Sequence, residues 1–223
     1  MINFEQARLN MVNCQLRTNK VTHSGVLSAF ESVAREEYVP EISKSIAYVD
    51  EDLALSHGRY LMEPMILGRM IQSIDPKENE TALVVGAGTG YAASVLSKLV
   101  NAVVALEDED LLVDSMNEIF SSQSAENAVA VKADLNKGYP KQAPYDLILF
   151  GGAVADIPRS LLDQLAEKGR LIAVVQDSSA KDKQYLGRVT LMEKHAGNVS
   201  GRVLFDANTP LLPGFEAEEG FSF

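Results

Sequence analysis

Three glycines at alternate positions, Gly86, Gly88 and Gly90, end a short apolar run, Thr81-Ala-Leu-Val-Val85. Ala87 and Thr89 lie between them, and Tyr91 opens an amphipathic stretch through Ala92, Ala93, Val95, Leu96 and Leu99. That order predicts a buried strand, a tight loop and a helix. Glycine permits unusual φ/ψ and close approach of a ligand to the backbone. The helix that follows offers free N–H groups and the positive end of its dipole. A second apolar run, Ala102-Val-Val-Ala-Leu106, ends in Glu107, where a carboxylate can accept hydrogen bonds from both ribose hydroxyls of a nucleoside. The pattern predicts a nucleoside-cofactor site at the carboxyl ends of parallel strands. The same glycines would also serve a strand–turn–helix that only needs a compact turn, and Glu107 weighs against that plainer reading.

The dinucleotide fingerprint requires Gly-x-Gly-x-x-Gly. Counting from Gly86, its third glycine would fall at position 91, which is Tyr91. The spacing is Gly-x-Gly-x-Gly, as in class I methyltransferases that bind S-adenosyl-L-methionine. Asp134, with Leu135 beside it, follows a third strand-like run, Val129-Ala-Val-Lys-Ala133, where an acid can accept the exocyclic amine of adenine or simply cap a turn. Asp146 opens a fourth run, with a structural role at least as natural as ligand contact. Gly151-Gly152 closes that run, either facing a substrate or making a plain turn. His57-Gly-Arg-Tyr-Leu-Met-Glu-Pro64 reads as a gate over the cofactor or as an ordinary loop.

The elements that must carry these residues alternate. Strands are predicted near 81–86, 102–107, 128–133, 145–150 and 170–175, with helices near 90–99, 109–121 and 159–167. Strands alternating with helices give a doubly wound, mostly parallel α/β sheet. The runs 185–192 and 202–206 add strands at its end. Before it lies a helical extension over 3–17 and 24–35, with Ser24 as N-cap and Val26, Leu27, Phe30 and Val33 on one face. Residues 36–62 look irregular, and Pro64 starts a helix carrying Met65, Leu67, Met70 and Ile71. The tail, Pro210 to Phe223, reads as a docked coil. One domain is expected, with helices and gate over 1–75, the cofactor core over 76–180 and terminal strands and tail over 181–223.

The net charge of −11 argues against tracking nucleic-acid phosphates and against an anionic membrane surface. Single Cys14 excludes an internal disulfide and suits a reducing compartment. The first residues lack the basic start and apolar core of a signal peptide. No run approaches the roughly 18 apolar residues of a membrane span. One Cys and three scattered histidines (His23, His57 and His195) give no zinc spacing.

Several spaced motifs together resemble the protein-L-isoaspartate O-methyltransferase family over most of residues 8–175. Met11-Val-Asn-Cys-Gln-Leu-Arg17 looks like the family's opening Met-Val-x-x-Gln-Leu helix, and Val33-Ala-Arg-Glu-Glu-Tyr-Val-Pro40 like its Val-Pro-Arg-x-x-Phe-Val-Pro segment. Ala47-Tyr-Val-Asp50 and Leu53 match its Ala-Tyr-x-Asp stretch, and Gly86–Tyr91 its cofactor loop. The resemblance implies a Rossmann-like class I methyltransferase fold, S-adenosyl-L-methionine as cofactor and a cytoplasmic location. It also implies methyl esterification of the abnormal aspartyl carboxylate in damaged proteins or peptides. Two stretches depart, the gate and the approach to the cofactor loop. The family's gate reads Gly-Gln-Thr-Ile-Ser-x-Pro, and here Met62 stands at the serine and Tyr60 at the threonine, beside Arg59. Val84 stands where the family has an acid, two residues before the first loop glycine. A carboxylate nucleophile is already ionised at neutral pH, so the serine would position rather than activate it. Arg59 or Tyr60 could substitute, Arg59 as a fork on the acceptor carboxylate. A methyltransferase for a different acceptor, or a non-catalytic cofactor-binding protein, remain the other readings.

Overall fold

The computed structural model describes residues 2–123, 125–176 and 187–217. Its centre is a seven-stranded sheet built from β3 (Thr81–Val85), β4 (Ala102–Glu107), β5 (Ala128–Lys132), β6 (Tyr145–Val154), β7 (Leu165–Gln176), β8 (Gly187–His195) and β9 (Asn198–Ala207). Their order is β5-β4-β3-β6-β7-β8-β9. The first five strands pair in parallel, and β8 and β9 add an antiparallel edge. The chain winds outward from β3 through β4 to β5, then returns to the other side of β3 for β6. The strand order therefore reverses between β3 and β6, the place where open sheets of this kind bind ligands.

Side chains alternate along each strand, so each strand feeds two cores. Ala82 and Val84 join the core beneath the N-terminal helices, while Leu83 and Val85 join the opposite one with Ile148, Phe150 and Leu161. Both faces are covered, which is why β3 and β4 are almost wholly apolar. The covering helices are α1 (Phe4–Met11), α2 (Ser24–Ser32), α3 (Pro64–Ser73), α4 (Tyr91–Ser97), α5 (Asp110–Ser122) and the short α6 (Arg159–Leu162). Arg170 forks both oxygens of Glu80 (2.8 and 2.9 Å) and donates to the carbonyls of Ile74 and Asp75, tying the end of α3 to the sheet.

The structure corrects several details. Helix α1 loosens at Met11 into a π turn over Val12–Leu16 and a 3-10 turn over Arg17–Asn19, which ends at Lys20 in the left-handed region. His23, not Ser24, caps α2, its Nδ1 accepting from Val26 N–H at 3.2 Å. The helix predicted over 159–167 stops at Leu162, because Leu165 already begins β7. Gly151 and Gly152 do not turn the chain. They lie inside β6, where its register against β7 shifts. A β-carbon on Gly151 would sit 2.2 Å from the Gly86 carbonyl oxygen, so glycine is needed for β6 to pass the end of β3. Between 36 and 62 the chain makes two 3-10 turns and a two-stranded ribbon, β1 (Leu53–Ala54) with β2 (Tyr60–Leu61). The tail docks as expected over 210–217: Leu211 bridges Ala153, and the Phe215 ring meets Phe150 edge-on at 5.5 Å. Residues 218–223, like 185 and 186 of the predicted strand 185–192, lie outside the described residues. No helix among the described residues is long and apolar enough to cross a membrane.

The Gly151 contact gives a stability prediction. Gly151→Ala should lower unfolding free energy by about 2 kcal/mol or more, as overpacking against a backbone atom that cannot yield. Gly197→Ala, at a positive φ with open space around it, should cost only about 1 kcal/mol. Urea denaturation of both variants compares them, and equal losses would contradict the role given to Gly151.

Candidate functional site

The predicted loop lies at the reversal point. Gly86 and Ala87 both donate to the Leu106 carbonyl at 3.1 Å, and Gly90 donates to Ala87 at 2.9 Å, which closes the turn. Gly86, Gly88 and Gly90 all have positive φ (68°, 58° and 93°). Thr89 donates its hydroxyl to the Tyr38 carbonyl at 2.6 Å, and Tyr91 is fully buried at the start of α4. The loop glycines are approached by the protein's own side chains. Leu212 of the tail packs on Gly86, Leu55 on Gly88, and Phe120 with Met116 of α5 on Gly90.

Glu107 ends β4 with its side chain wholly buried. Its Oε2 accepts from Gly88 N–H at 2.9 Å and its Oε1 from Asp108 N–H at 3.0 Å. The remaining partner is Arg59. Its Nε lies 3.0 and 3.2 Å from the two oxygens, and its Nη2 is 2.8 Å from Oε1 while also reaching Asp108. Burial pushes the Glu107 carboxyl upward, and the Arg59 guanidinium and two N–H donors pull against it. Burial likewise works to lower Arg59, but hydrogen bonding and charge from Glu107 and Asp108 hold it above its ordinary value. Every neighbour of Glu107 that is named here is a donor, an arrangement suited to a carboxylate.

The ribbon delivers Arg59 to that place. Ser56-His57-Gly58-Arg59 is a tight turn closed by Arg59 N–H to the Ser56 carbonyl at 3.0 Å, with positive φ at both His57 and Gly58. Two positive central φ values make a type I′ turn, whose twist suits a two-stranded ribbon. The expected gate is thus a hairpin across the glycine loop. Arg59 spends its fork on Glu107 and Asp108 rather than leaving it open. Tyr60 is partly exposed on β2, and Met62 is buried, packed into the core beneath the helices.

Arg35, which sequence reasoning passed over, links these parts. It is fully buried, donates to the carbonyls of Ala47 (2.7 Å) and Met62 (3.0 Å), and lies 4.9 Å over the Tyr91 ring. Its neighbours Glu36 and Glu37 give no local signal that it is buried. On the far side, Asp134 accepts from Asn136 N–H at 3.0 Å and pairs with Lys137 at 2.9 Å, which holds its carboxyl below the usual range. It caps its own turn and is about half exposed, while Leu135 beside it is buried. Asp146 accepts from Thr81 N–H at 2.9 Å, a structural bond between β3 and β6. Among the described residues, no three His, Cys, Asp or Glu side chains are grouped so as to hold a metal. A groove of about 230 Å³ runs beside the loop, between Tyr38, Leu55, Thr89, Leu112 and Ser115.

Below the hairpin, Asp50, Glu51, Asp52 and Glu63 gather at the start of α3. Asp52 accepts from Glu63 N–H at 2.9 Å. Burial, then the charges of Asp50, Asp52 and Glu51, push Glu63 up to about 7. The folded chain therefore keeps a proton on Glu63 that the unfolded chain releases from about 4.5 upward. Stability from this group is lost as pH rises through that window. The group is half-exposed, so solvent screening reduces the effect. Glu63→Gln should lose less stability between pH 5 and pH 8 than the wild type does. Denaturant titrations at the two pH values check this, and parallel losses would show that Glu63 ionises normally.

Comparisons with known proteins show the family and the fold. The family model described as protein-L-isoaspartate(D-aspartate) O-methyltransferase (PCMT) matches residues 7–207. Protein-L-isoaspartate O-methyltransferase 1 of Syntrophobacter fumaroxidans is 36% identical over 182 residues, 82% of this chain and 85% of the relative. The enzyme of that family name from Pelotomaculum thermopropionicum is 34% identical over 170 residues, 76% of this chain and 74% of its own. Two solved structures share the fold at 22% identity. One is a protein-L-isoaspartate O-methyltransferase, with a TM-score of 0.80 over 93% of this chain and 66% of its own. The other is a Plasmodium falciparum chain assigned to the same family and in complex with S-adenosyl-L-homocysteine, with a TM-score of 0.75 over 95% of this chain and 99% of its own.

Proposed function

Because this chain belongs to the protein-L-isoaspartate O-methyltransferase family, we propose that it methylates the carboxylate of damaged aspartyl residues in proteins or peptides, with S-adenosyl-L-methionine as methyl donor. The observation that carries the reading is the loop Gly86–Tyr91 at the reversal point of the sheet, with Glu107 buried at the end of the adjacent strand. In this reading Gly86, Ala87, Gly88, Thr89, Gly90 and Tyr91 line the nucleoside site, Glu107 takes the ribose, and Asp134 with Leu135 flanks adenine. The chain acts as one domain in the cytoplasm, and its net charge of −11 makes protein, not nucleic acid, the natural partner.

The loop's three glycines hold positive φ and carry no side chains of their own, while Leu212, Leu55 and Phe120 lie against them. The ribose position does not fit as the side chains stand. Glu107 already accepts from Arg59, Gly88 and Asp108, which leaves it no free lone pair for a diol. On the acceptor side, the carboxylate of a damaged residue arrives ionised and needs no base, so the protein's task there is alignment. Met62 supplies no donor for that alignment.

Initial rates of labelled methyl transfer to an isoaspartyl peptide test the proposal. Wild type should exceed background. Met62→Ser should run no faster than wild type, because Met62 is buried in the core and shortening it opens a cavity there. Background rates in both, with S-adenosyl-L-homocysteine still bound in calorimetry, would remove the isoaspartyl carboxylate as acceptor. A different acceptor, or binding without catalysis, would then take its place.

A further inference from the structure

We propose that Arg59 is a latch that occupies the ribose subsite in the ligand-free chain and must be exchanged for the nucleoside. The inference rests on the reading of Glu107 as the ribose acceptor. Its basis is the geometry of one side chain. Arg59 is buried, its fork covers both oxygens of Glu107, and its β-carbon side lies against Gly88. A nucleoside and this guanidinium therefore compete for the same carboxylate lone pairs.

The surroundings allow the exchange. Arg59 reaches Asp108 as well as Glu107, and the Asp108 side chain is 43% exposed while that of Glu107 is wholly buried. The guanidinium can therefore release the inner acid and keep the outer one, turning toward solvent about Asp108. The hairpin that carries it is short, with two residue pairs between β1 and β2 and a tight turn at the tip. Leu55, which covers Gly88, belongs to the same hairpin, its N–H donating to the Arg59 carbonyl at 2.8 Å. Moving the tip would uncover the glycine and the acid together. The ligand that opens the latch must bring donors, not charge, to Glu107. Vicinal hydroxyls meet that requirement.

Affinity is reduced by the fraction of molecules that are competent to bind, so a closed latch weakens the nucleoside. Calorimetry with S-adenosyl-L-homocysteine should show Arg59→Gln and Arg59→Ala binding at least roughly 10-fold tighter than wild type. Glu107→Gln should bind more weakly than either. A second measurement needs no variant. The Arg59 Nε–H signal in ¹⁵N NMR should be protected from solvent exchange in the ligand-free protein and lose that protection at saturating S-adenosyl-L-homocysteine. Unchanged or weaker binding in both Arg59 variants, or a protected Nε–H in the saturated wild type, would overturn the latch while the cofactor reading stands. Affinity in Glu107→Gln as high as in the Arg59 variants would instead remove Glu107 as the ribose acceptor, and the latch with it. No binding by any of the four proteins would overturn the cofactor reading itself.

Discussion

A carboxylate buried at the end of an apolar strand must be surrounded by donors, and much of this site follows from that requirement. Glu107 is wholly buried from solvent, and leaving such a charge unpaired costs several kcal/mol. The glycine loop supplies one N–H from Gly88, possible because that residue holds a positive φ. The chain beyond β4 supplies another from Asp108. The third partner comes from 48 residues earlier in the chain. Its arrival needs a hairpin with a turn of the right twist, and His57 accepts a left-handed conformation to provide it. The position of the hairpin is thus tied to the charge state of a residue on the sheet.

The same logic runs through Arg35. This second buried cation has no carboxylate in its grasp and instead takes two backbone carbonyls and the face of Tyr91. Burial lowers its affinity for its proton, with Tyr91 and Asp52 working in the opposite direction. Its bonds reach the 3-10 segment through Ala47, the end of the hairpin through Met62 and the first residue of α4 through Tyr91. One side chain therefore joins the N-terminal extension to the loop. Removing it would leave two buried carbonyls without a donor, a loss that neighbouring apolar packing cannot make good.

The parts legible in the sequence were those set by local chain chemistry. Alternating apolar runs located the five parallel strands, and the alternate glycines located the loop, because φ and burial leave marks on residue type at the position itself. Pro64 marked the start of α3 for the same reason. What escaped depended on distant partners. Nothing near Arg59 announces that its fork will meet Glu107. Nothing near Gly151 shows that it must pass the Gly86 carbonyl, so a glycine pair inside a strand was read as its end. The apolar pattern of helix α6 continues into β7, so the sequence predicts a longer helix than the four residues Arg159–Leu162 that form it. His23 replaced Ser24 as cap because an imidazole nitrogen can accept the N–H that a hydroxyl one residue later does not.

Val84 and Arg59 together balance the charge at the loop. Val84 is fully buried and apolar where the family carries an acid, so Glu107 is the carboxylate left buried at the loop among the described residues. Arg59 brings one positive charge to that one negative charge, and the pair is neutral inside the fold. An anion entering the cleft would meet a buried acid of its own sign once the guanidinium had moved. A group with hydroxyl donors would replace the guanidinium's hydrogen bonds without adding negative charge. If the proposed exchange holds, a buried acid of this kind favours hydroxyl donors over anions by hydrogen-bond polarity as well as by shape. The strength of that discrimination comes from the same desolvation that made Arg59 necessary in the closed fold.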